Sequence, residues 1–193
     1  MRKKSGMIFV LSGPSGSGKT TLAVSALNDK KFSGKLERSV SFTTRPRRRG
    51  EKEEKDYFFI SDLEFRKQLR RQKILEWTRY LGYYYGTARD FVDSRLENNK
   101  SLILCLDLKG ADRIKELYLR NSCTIFIMPP SLEELARRIE NRHRETSEAE
   151  VARRLRLAKR EIASSDRFDF CLVNNDLAQA ARELKRIISR KIM

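Results

Sequence analysis

Cysteine is scarce in this chain of 193 residues, and histidine scarcer: three of the first and one of the second. Cys105, Cys123 and Cys171 share no metal-ligand spacing, which argues against a thiolate metal centre. Each sits within an apolar run, so each is expected to be a buried free thiol in a reducing compartment. Long apolar runs are missing too. None reaches the roughly 18 residues of a transmembrane helix. The short basic start, Met1 to Ser5, has no apolar segment behind it of the kind a signal peptide carries. A cytoplasmic protein with no membrane contact is the expectation. Acidic residues are outnumbered, 26 Asp and Glu against 42 Lys and Arg, for a net charge of +16. Such a surface attracts polyanions. Three readings fit it: a merely basic soluble protein, non-specific contact with nucleic acid, or arginines that hold substrate phosphates. The placement of the arginines decides, and net charge does not. No internal repeat and no low-complexity linker divides the chain, so one domain with small inserted subdomains fits its length.

What is present is organised around Val10 to Leu22. Gly13, Gly18, Lys19 and Thr20 fit the pattern Gly, four residues, Gly-Lys-[Ser/Thr]. The apolar run Met7 to Leu11 before it reads as a buried strand, and Leu22, Ala23, Ala26 and Leu27 after it repeat as a helix does. A glycine-rich turn without a ligand would also join strand to helix. The Lys-Thr pair in this context points instead to a nucleotide phosphate loop. Gly13, Gly16 and Gly18 let backbone N–H groups converge, and the helix N-terminus adds its dipole. Pro14, Ser15, Ser17 and Thr21 complete the cradle. Lys19 can reach the outer phosphates, and the Thr20 hydroxyl can join a Mg2+ shell.

Strands and helices then alternate, which predicts an α/β fold with a mostly parallel sheet flanked by helices. Core strands are expected at 7–12, 101–107, 123–128 and 170–174. Helices are expected at 19–28, 109–119, 131–142, 150–164 and 176–190, with Ser131 and Glu134 as the cap of the third. Between 38 and 90 the alternation breaks. Ser39–Phe42, Tyr57–Ile60, Ile74–Tyr80 and the aromatic run Tyr83 to Thr87 read as strands, and Asp62–Arg71 as a helix. This predicts a small mixed sheet inserted over the phosphate loop, where α/β sheets bind ligands. Asp107 ends a core strand. It is placed to reach Mg2+ or a second substrate, or else to cap the next helix. Residues 137–154 hold Arg137, Arg138, Arg142, Arg144, Arg153 and Arg154. They read as a solvated basic helix pair or as a mobile lid closing on a phosphoryl group.

At this point the chain resembles the guanylate kinase family of P-loop nucleoside monophosphate kinases. The motifs are Gly13 to Thr21, Ser39-Val-Ser-Phe-Thr-Thr-Arg45, Arg48-Arg-Gly-Glu51, Asp56-Tyr-Phe-Phe59, Leu75-Glu-Trp77, Tyr84-Tyr-Gly-Thr87, Asp107 with Gly110, Ile125 to Ser131, and Val173 to Asp176. They span roughly residues 6 to 190. The resemblance implies transfer of the γ-phosphoryl group of ATP to GMP (or dGMP) with Mg2+. It implies a core from residues 1–37, 91–136 and 155–193, a GMP-binding insertion at 38–90 and a lid at 137–154. Arg45, Arg48, Tyr57 and Tyr85 match the family's phosphate-binding residues. Glu76 matches its guanine-reading glutamate, Ser41 and Thr87 its hydroxyls near the base, and Asp107 its second acid. Lys19, Arg138, Arg142 and Arg154 match its catalytic cations, with Arg153 a rival to Arg154. Specific nucleic-acid binding is not implied, and the oligomeric state is not readable.

The chemistry supports the match. Two guanidiniums and two phenols suit a dianionic phosphate. Guanine shows adjacent N1–H and N2–H2 donors, which suit one carboxylate. The chain departs from the family pattern at four places. Arg47 stands at the customary proline, with Pro46 one residue early. Lys52 to Lys55 replaces a stretch with an expected glycine. Cys105 stands where an Asp is usual, and His143-Arg144 where Gly-Thr is usual. His143 is expected on the lid surface and not as a base. Two rivals remain: a related kinase acting on a sugar phosphate, and a binding module of this fold without catalysis.

Overall fold

The molecule is built on two sheets, and the larger is parallel throughout. The structure, a computed structural model, describes residues 5–80, 82–142 and 148–192. The larger sheet holds β1 (Ile8–Ser12), β2 (Leu36–Arg38), β7 (Ser101–Cys105), β8 (Ser122–Met128) and β9 (Phe170–Val173) in the order β2-β7-β1-β8-β9. Every neighbouring pair in it is parallel. Central β1 is buried along its whole length. Its side chains alternate between two cores, as a pleated strand requires. Phe9 and Leu11 join a layer with α1 (Lys19–Leu27) and α7 (Leu177–Ile192). Ile8 and Val10 join the opposite layer with α3 (Arg89–Glu97) and α4 (Leu108–Leu117). In α7, Ala180, Ala181, Leu184, Ile187 and Ile188 fall at helical spacing and are buried. Each larger aliphatic there contributes about 1.5–3 kcal/mol by leaving water. Thus the predicted α/β core is observed.

The second sheet comprises β3 (Ser41–Thr43), β4 (Tyr57–Phe59), β5 (Ile74–Tyr80) and β6 (Tyr83–Ala88), in the order β4-β3-β6-β5. It is mixed: β3 and β4 run parallel, and the other two pairs are antiparallel. Helix α2 (Asp62–Arg70), capped by the Ser61 hydroxyl, buries Phe65, which stacks on Tyr84. The remaining helices, α5 (Leu132–Arg142) and α6 (Glu148–Ile162), pack through Leu135, Ile139, Val151 and Ala158. Pro129 and Pro130 follow β8, and Ser131 Oγ accepts from Glu134 N at 3.1 Å, as the capping pattern predicts. His143 and Arg144 lie outside the described residues, as does the middle of the predicted lid.

Three expectations need correction. The strand expected at 101–107 stops at Cys105, and Asp107 is instead the N-cap of α4, with its side chain accepting from Gly110 N at 2.8 Å. The chain between α1 and β3 supplies an unforeseen edge strand, β2, and α3 was likewise not predicted. Of the three thiols, all unpaired, only Cys123 is buried. Cys105 ends its strand and opens onto a cavity, and Cys171 points outward from edge strand β9.

The departure at 52–55 has a local consequence. Glu54 sits in the left-handed region at φ 60°, where the Cβ of an L residue crowds its own backbone. Its N–H bonds to Tyr57 O at 3.0 Å, a bond that any residue can make. Glu54→Gly is expected to stabilise the fold by about 0.5–1 kcal/mol, the relief of strain net of glycine's greater chain entropy. Urea unfolding checks this: the midpoint should rise at unchanged slope, and a fall would show that Glu54 is not strained.

Candidate active site

The phosphate loop connects β1 to α1 at the carboxyl end of the parallel sheet. Gly13, Gly16 and Gly18 all have positive φ, at 132°, 90° and 98°. Two of them are also sterically required. A Cβ on Gly13 would lie 2.5 Å from the Ile127 carbonyl oxygen of β8, and one on Gly18 would lie 2.2 Å from Asn174 Nδ2. Asn174 in turn donates to Ser17 O at 2.7 Å, so the end of β9 braces the loop. Lys19 folds back over it, with Nζ donating to Gly13 O at 2.6 Å and Pro14 O at 2.9 Å. Helix α1 begins with no capping side chain and no acidic residue in its first turn. The hydroxyls of Ser12 and Ser17 are buried there without a hydrogen-bond partner among the described residues. Unanswered N–H and O–H donors around a helix N-terminus form a cradle for an anion.

Next to this loop a cavity of about 260 Å³ separates the two sheets. Thr20 and Cys105 line its core side, and Ser41, Tyr57, Glu76, Tyr85, Thr87 and Asp107 also face it. The second sheet sets these positions by register: Ser41 pairs with Thr87 across β3 and β6, and with Tyr57 across β3 and β4. Glu76 is 9% exposed. Its Oε1 accepts from Thr87 N at 3.2 Å and, more closely, from the Thr87 hydroxyl. Among the described residues no group donates to Oε2. That oxygen lies where a Cβ on Gly110 would come within 2.9 Å of it, so glycine there keeps the carboxylate's approach open. Burial pushes the Glu76 carboxyl up to about 7, the Thr87 bonds oppose it, and the charge of Asp107 adds to the rise. A carboxylate buried on a cavity wall, with one oxygen unmatched among the described residues, is expensive unless a ligand brings donors.

Behind Tyr57 of the cavity wall, Arg45 is 8% exposed although it is always charged. Its guanidinium donates to Glu51 Oε1 at 2.6 Å and to Pro46 O at 2.7 Å. It lies over the Tyr57 ring at 5.6 Å, and Tyr57 meets Tyr85 edge-on at 5.9 Å. Arg45, Tyr57 and Tyr85 are therefore brought together. Arg48 is not; its side chain is exposed, and only its backbone is tied down, N–H to Glu51 Oε2 at 2.8 Å.

Two of the helical arginines have inward positions. Arg138 donates to Glu134 and, at 3.2 Å, to Asn174 O, beside the phosphate loop. Arg154 is 18% exposed and Arg153 67%, and both bind Glu150, so Arg154 is the inward one of the pair. Arg142 is the last residue of α5, and its side chain is outside what the structure describes. Sequence reasoning missed Glu161 of α6. Burial raises its carboxyl, and it senses the charges of Lys19 and Asp107. Its signal was its place three and seven residues beyond Ala158 and Arg154 on one helix face.

A sequence profile of the guanylate kinase family matches residues 5–191. The chain belongs to the guanylate kinase family. It is 36% identical over 189 residues to a guanylate kinase of Wolbachia pipientis, covering 98% of this chain and 92% of that one. A guanylate kinase of Thermotoga maritima is 42% identical over 183 residues, 95% and 86% of the two chains. Among solved structures, the guanylate kinase of Anaplasma phagocytophilum superposes with a TM-score of 0.74 at 32% identity, over 99% of this chain and 88% of that chain. Membership accounts for the two-sheet arrangement. Among the described residues, no helix is long and apolar enough to cross a membrane.

Proposed function

We propose that the chain transfers the γ-phosphoryl group of ATP to GMP, giving ADP and GDP. The observation that carries this reading is Glu76, a buried carboxylate on the cavity wall whose second oxygen has no donor among the described residues. Guanine supplies two adjacent N–H donors to such a carboxylate. Adenine and a sugar phosphate do not, which weighs against the sugar-phosphate reading. The roles then follow the geometry. Residues 38–90 form the acceptor insertion. Glu76 reads the base, with Ser41, Thr87 and Asp107 around it. Arg45, Tyr57 and Tyr85 take the acceptor phosphate, joined by Arg48 from the exposed loop. Residues Gly13 to Thr21 cradle the donor phosphates, and residues 137–154 close as a lid. An acceptor phosphate oxygen attacks the γ-phosphorus, the bond to the β,γ-bridging oxygen breaks, and ADP leaves. Lys19, Arg138, Arg142 and Arg154 neutralise the charge spread over the transferring group.

The residues fit Mg2+ as the donor's companion. The ion prefers one or two protein oxygens with phosphates and water, and Thr20 offers a hydroxyl at the exposed start of α1, on the cavity. When bound, the ion would screen the β- and γ-phosphate oxygens. Three unpaired thiols suit the reducing cytoplasm.

ADP release from Mg·ATP should be measured with GMP, AMP, CMP and UMP as separate acceptors. Turnover with GMP at least about a hundredfold above the others is expected, since a site built for donors rejects a base that lacks them. Folded protein that turns over none of the four would refute the assignment and favour the binding-module reading.

A further inference from the structure

The loop Arg45 to Glu51 carries both arginines of the acceptor phosphate site, and one side chain closes it. Glu51 Oε1 takes the Arg45 guanidinium at 2.6 Å, and Glu51 Oε2 takes the Arg48 backbone N–H at 2.8 Å. Its own N–H bonds to Arg48 O at 3.2 Å. Upstream, Thr43 and Thr44 fix the start of the loop to Tyr84: Thr43 Oγ1 donates to Tyr84 O at 3.1 Å, and Tyr84 N donates to Thr44 Oγ1 at 3.0 Å. Between these two anchors Pro46, Arg47, Arg48, Arg49 and Gly50 are exposed. Arg49 and Gly50 thus sit inside a turn held at its far end by Glu51.

We propose that Glu51 is a positioning residue for the acceptor phosphate: its carboxylate holds the Arg45 guanidinium in place and sets the backbone of Arg48 in the same stroke. The inference rests on the reading of Arg45 and Arg48 as phosphate ligands. Arg45 is nearly buried, and a buried cation without a counter-charge is strongly disfavoured. Glu51 supplies that counter-charge before any phosphate arrives. The bond to Arg45, followed by that from Arg48 N–H, holds the Glu51 carboxyl below the usual carboxylate range, so it is ionised at neutral pH. A guanidinium has five N–H donors. Pro46 O and Glu51 each engage one, the Tyr85 side chain also interacts with the guanidinium, and the plane rests on Tyr57 and Phe59, so the group is held in one orientation. A ligand that finds its donors already oriented loses less freedom on binding. A carboxylate this close also repels a dianion. The two effects oppose each other, and the proposal is that positioning wins.

The test is steady-state kinetics of E51A beside R45A and R48A, with thermal melting of each. E51A is expected to raise KM for GMP about tenfold or more, with kcat at saturating GMP and KM for ATP within threefold of wild type. Because Glu51 acts through Arg45 and Arg48, adding E51A to a protein that already carries R45A and R48A should raise KM by less than about threefold further. If E51A left KM for GMP unchanged or lowered it, the carboxylate would be a competitor of the phosphate and the proposal would fall. It would also fall if kcat and KM for ATP suffered as much as KM for GMP while the melting temperature dropped, which is the pattern of a general structural loss. If R45A itself left KM for GMP unchanged, the phosphate reading would fail first. If R45A raised it and E51A did not, only the role of Glu51 would fail.

Discussion

Glutamine in place of Glu76 is expected to lower kcat/KM for GMP by about 10²–10³-fold, with KM for ATP nearly unchanged. The side chain keeps its shape but loses charge and turns one acceptor into a donor. That donor would face the guanine N–H groups, so a charge-assisted pair becomes a clash of like polarity. The same substitution should remove a pH effect. In the ligand-free protein the Glu76 carboxyl titrates at about 7, and only the ionised form accepts both guanine donors. KM for GMP should therefore rise as pH falls through about 7. GMP's own phosphate also titrates near about 6, but that contribution is common to both proteins. The difference between wild type and Glu76→Gln isolates the side chain.

Stability should move the other way. Burial raises the folded-state value from 4.5 to about 7, so in that window the folded protein binds a proton that the unfolded chain has released. Stability contributed by this group is present in full below 4.5 and lost as pH rises toward 7, about 3 kcal/mol in all. Glu76→Gln carries no such penalty. It should be more stable than wild type at pH 8, with the gap closing near pH 4.5, when both are unfolded in urea. Equal midpoints at pH 8 together with unimpaired GMP turnover would mean that Glu76 neither bears a buried charge nor reads the base.

The parts of this site differ in how far they could be read from the chain. The backbone of the loop between β1 and α1 was legible, because its glycines set the chain's geometry within a few consecutive residues. Strand β1 was legible for a similar reason: five apolar residues between turn signals have few other fates. Edge strand β2 was not, since three residues, one of them a charged Arg38 at the sheet's end, carry no periodicity. Helix α3 buries only Val92 and Leu96 among charged neighbours, too thin a stripe to stand out. Asp107 had two readings, and the structure realises one as a cap while also placing the residue on the cavity. Glu76 is the instructive case. Flanked by Leu75 and Trp77, it reads as an ordinary exposed strand residue. A register irregularity between Ile74 and Trp77 puts Leu75 and Glu76 both inside and leaves Trp77 half exposed. Strict alternation cannot foresee that, so only its place among the other motifs pointed to it.

Lys19→Ala is expected to lower kcat by about 10³-fold or more while leaving GMP affinity intact. The lysine carries the one fixed positive charge inside the loop, and Gly13 O and Pro14 O hold it there at 2.6 and 2.9 Å before any substrate binds. Charge that develops on a transferring phosphoryl group is best met by a cation whose position needs no reorganisation, and removing one such donor typically costs about 10²–10³-fold. The further loss expected here reflects a role in donor binding as well as in the transition state. The acceptor residues belong to the second sheet, the loop that follows β3 and the N-cap of α4, apart from the phosphate loop itself, so titration calorimetry should return the wild-type Kd for GMP. The two carbonyls it releases belong to the buried Gly13 and Pro14, so the fold should lose about 1–3 kcal/mol. Lys19→Arg should fail almost as completely, because a planar fork cannot occupy the point between two carbonyls that an ammonium fills. A Lys19→Ala protein that kept turnover within tenfold would remove this loop from the reaction. A protein with the same kcat loss but weakened GMP binding would mean that the loop and the second sheet are coupled already in the ligand-free state.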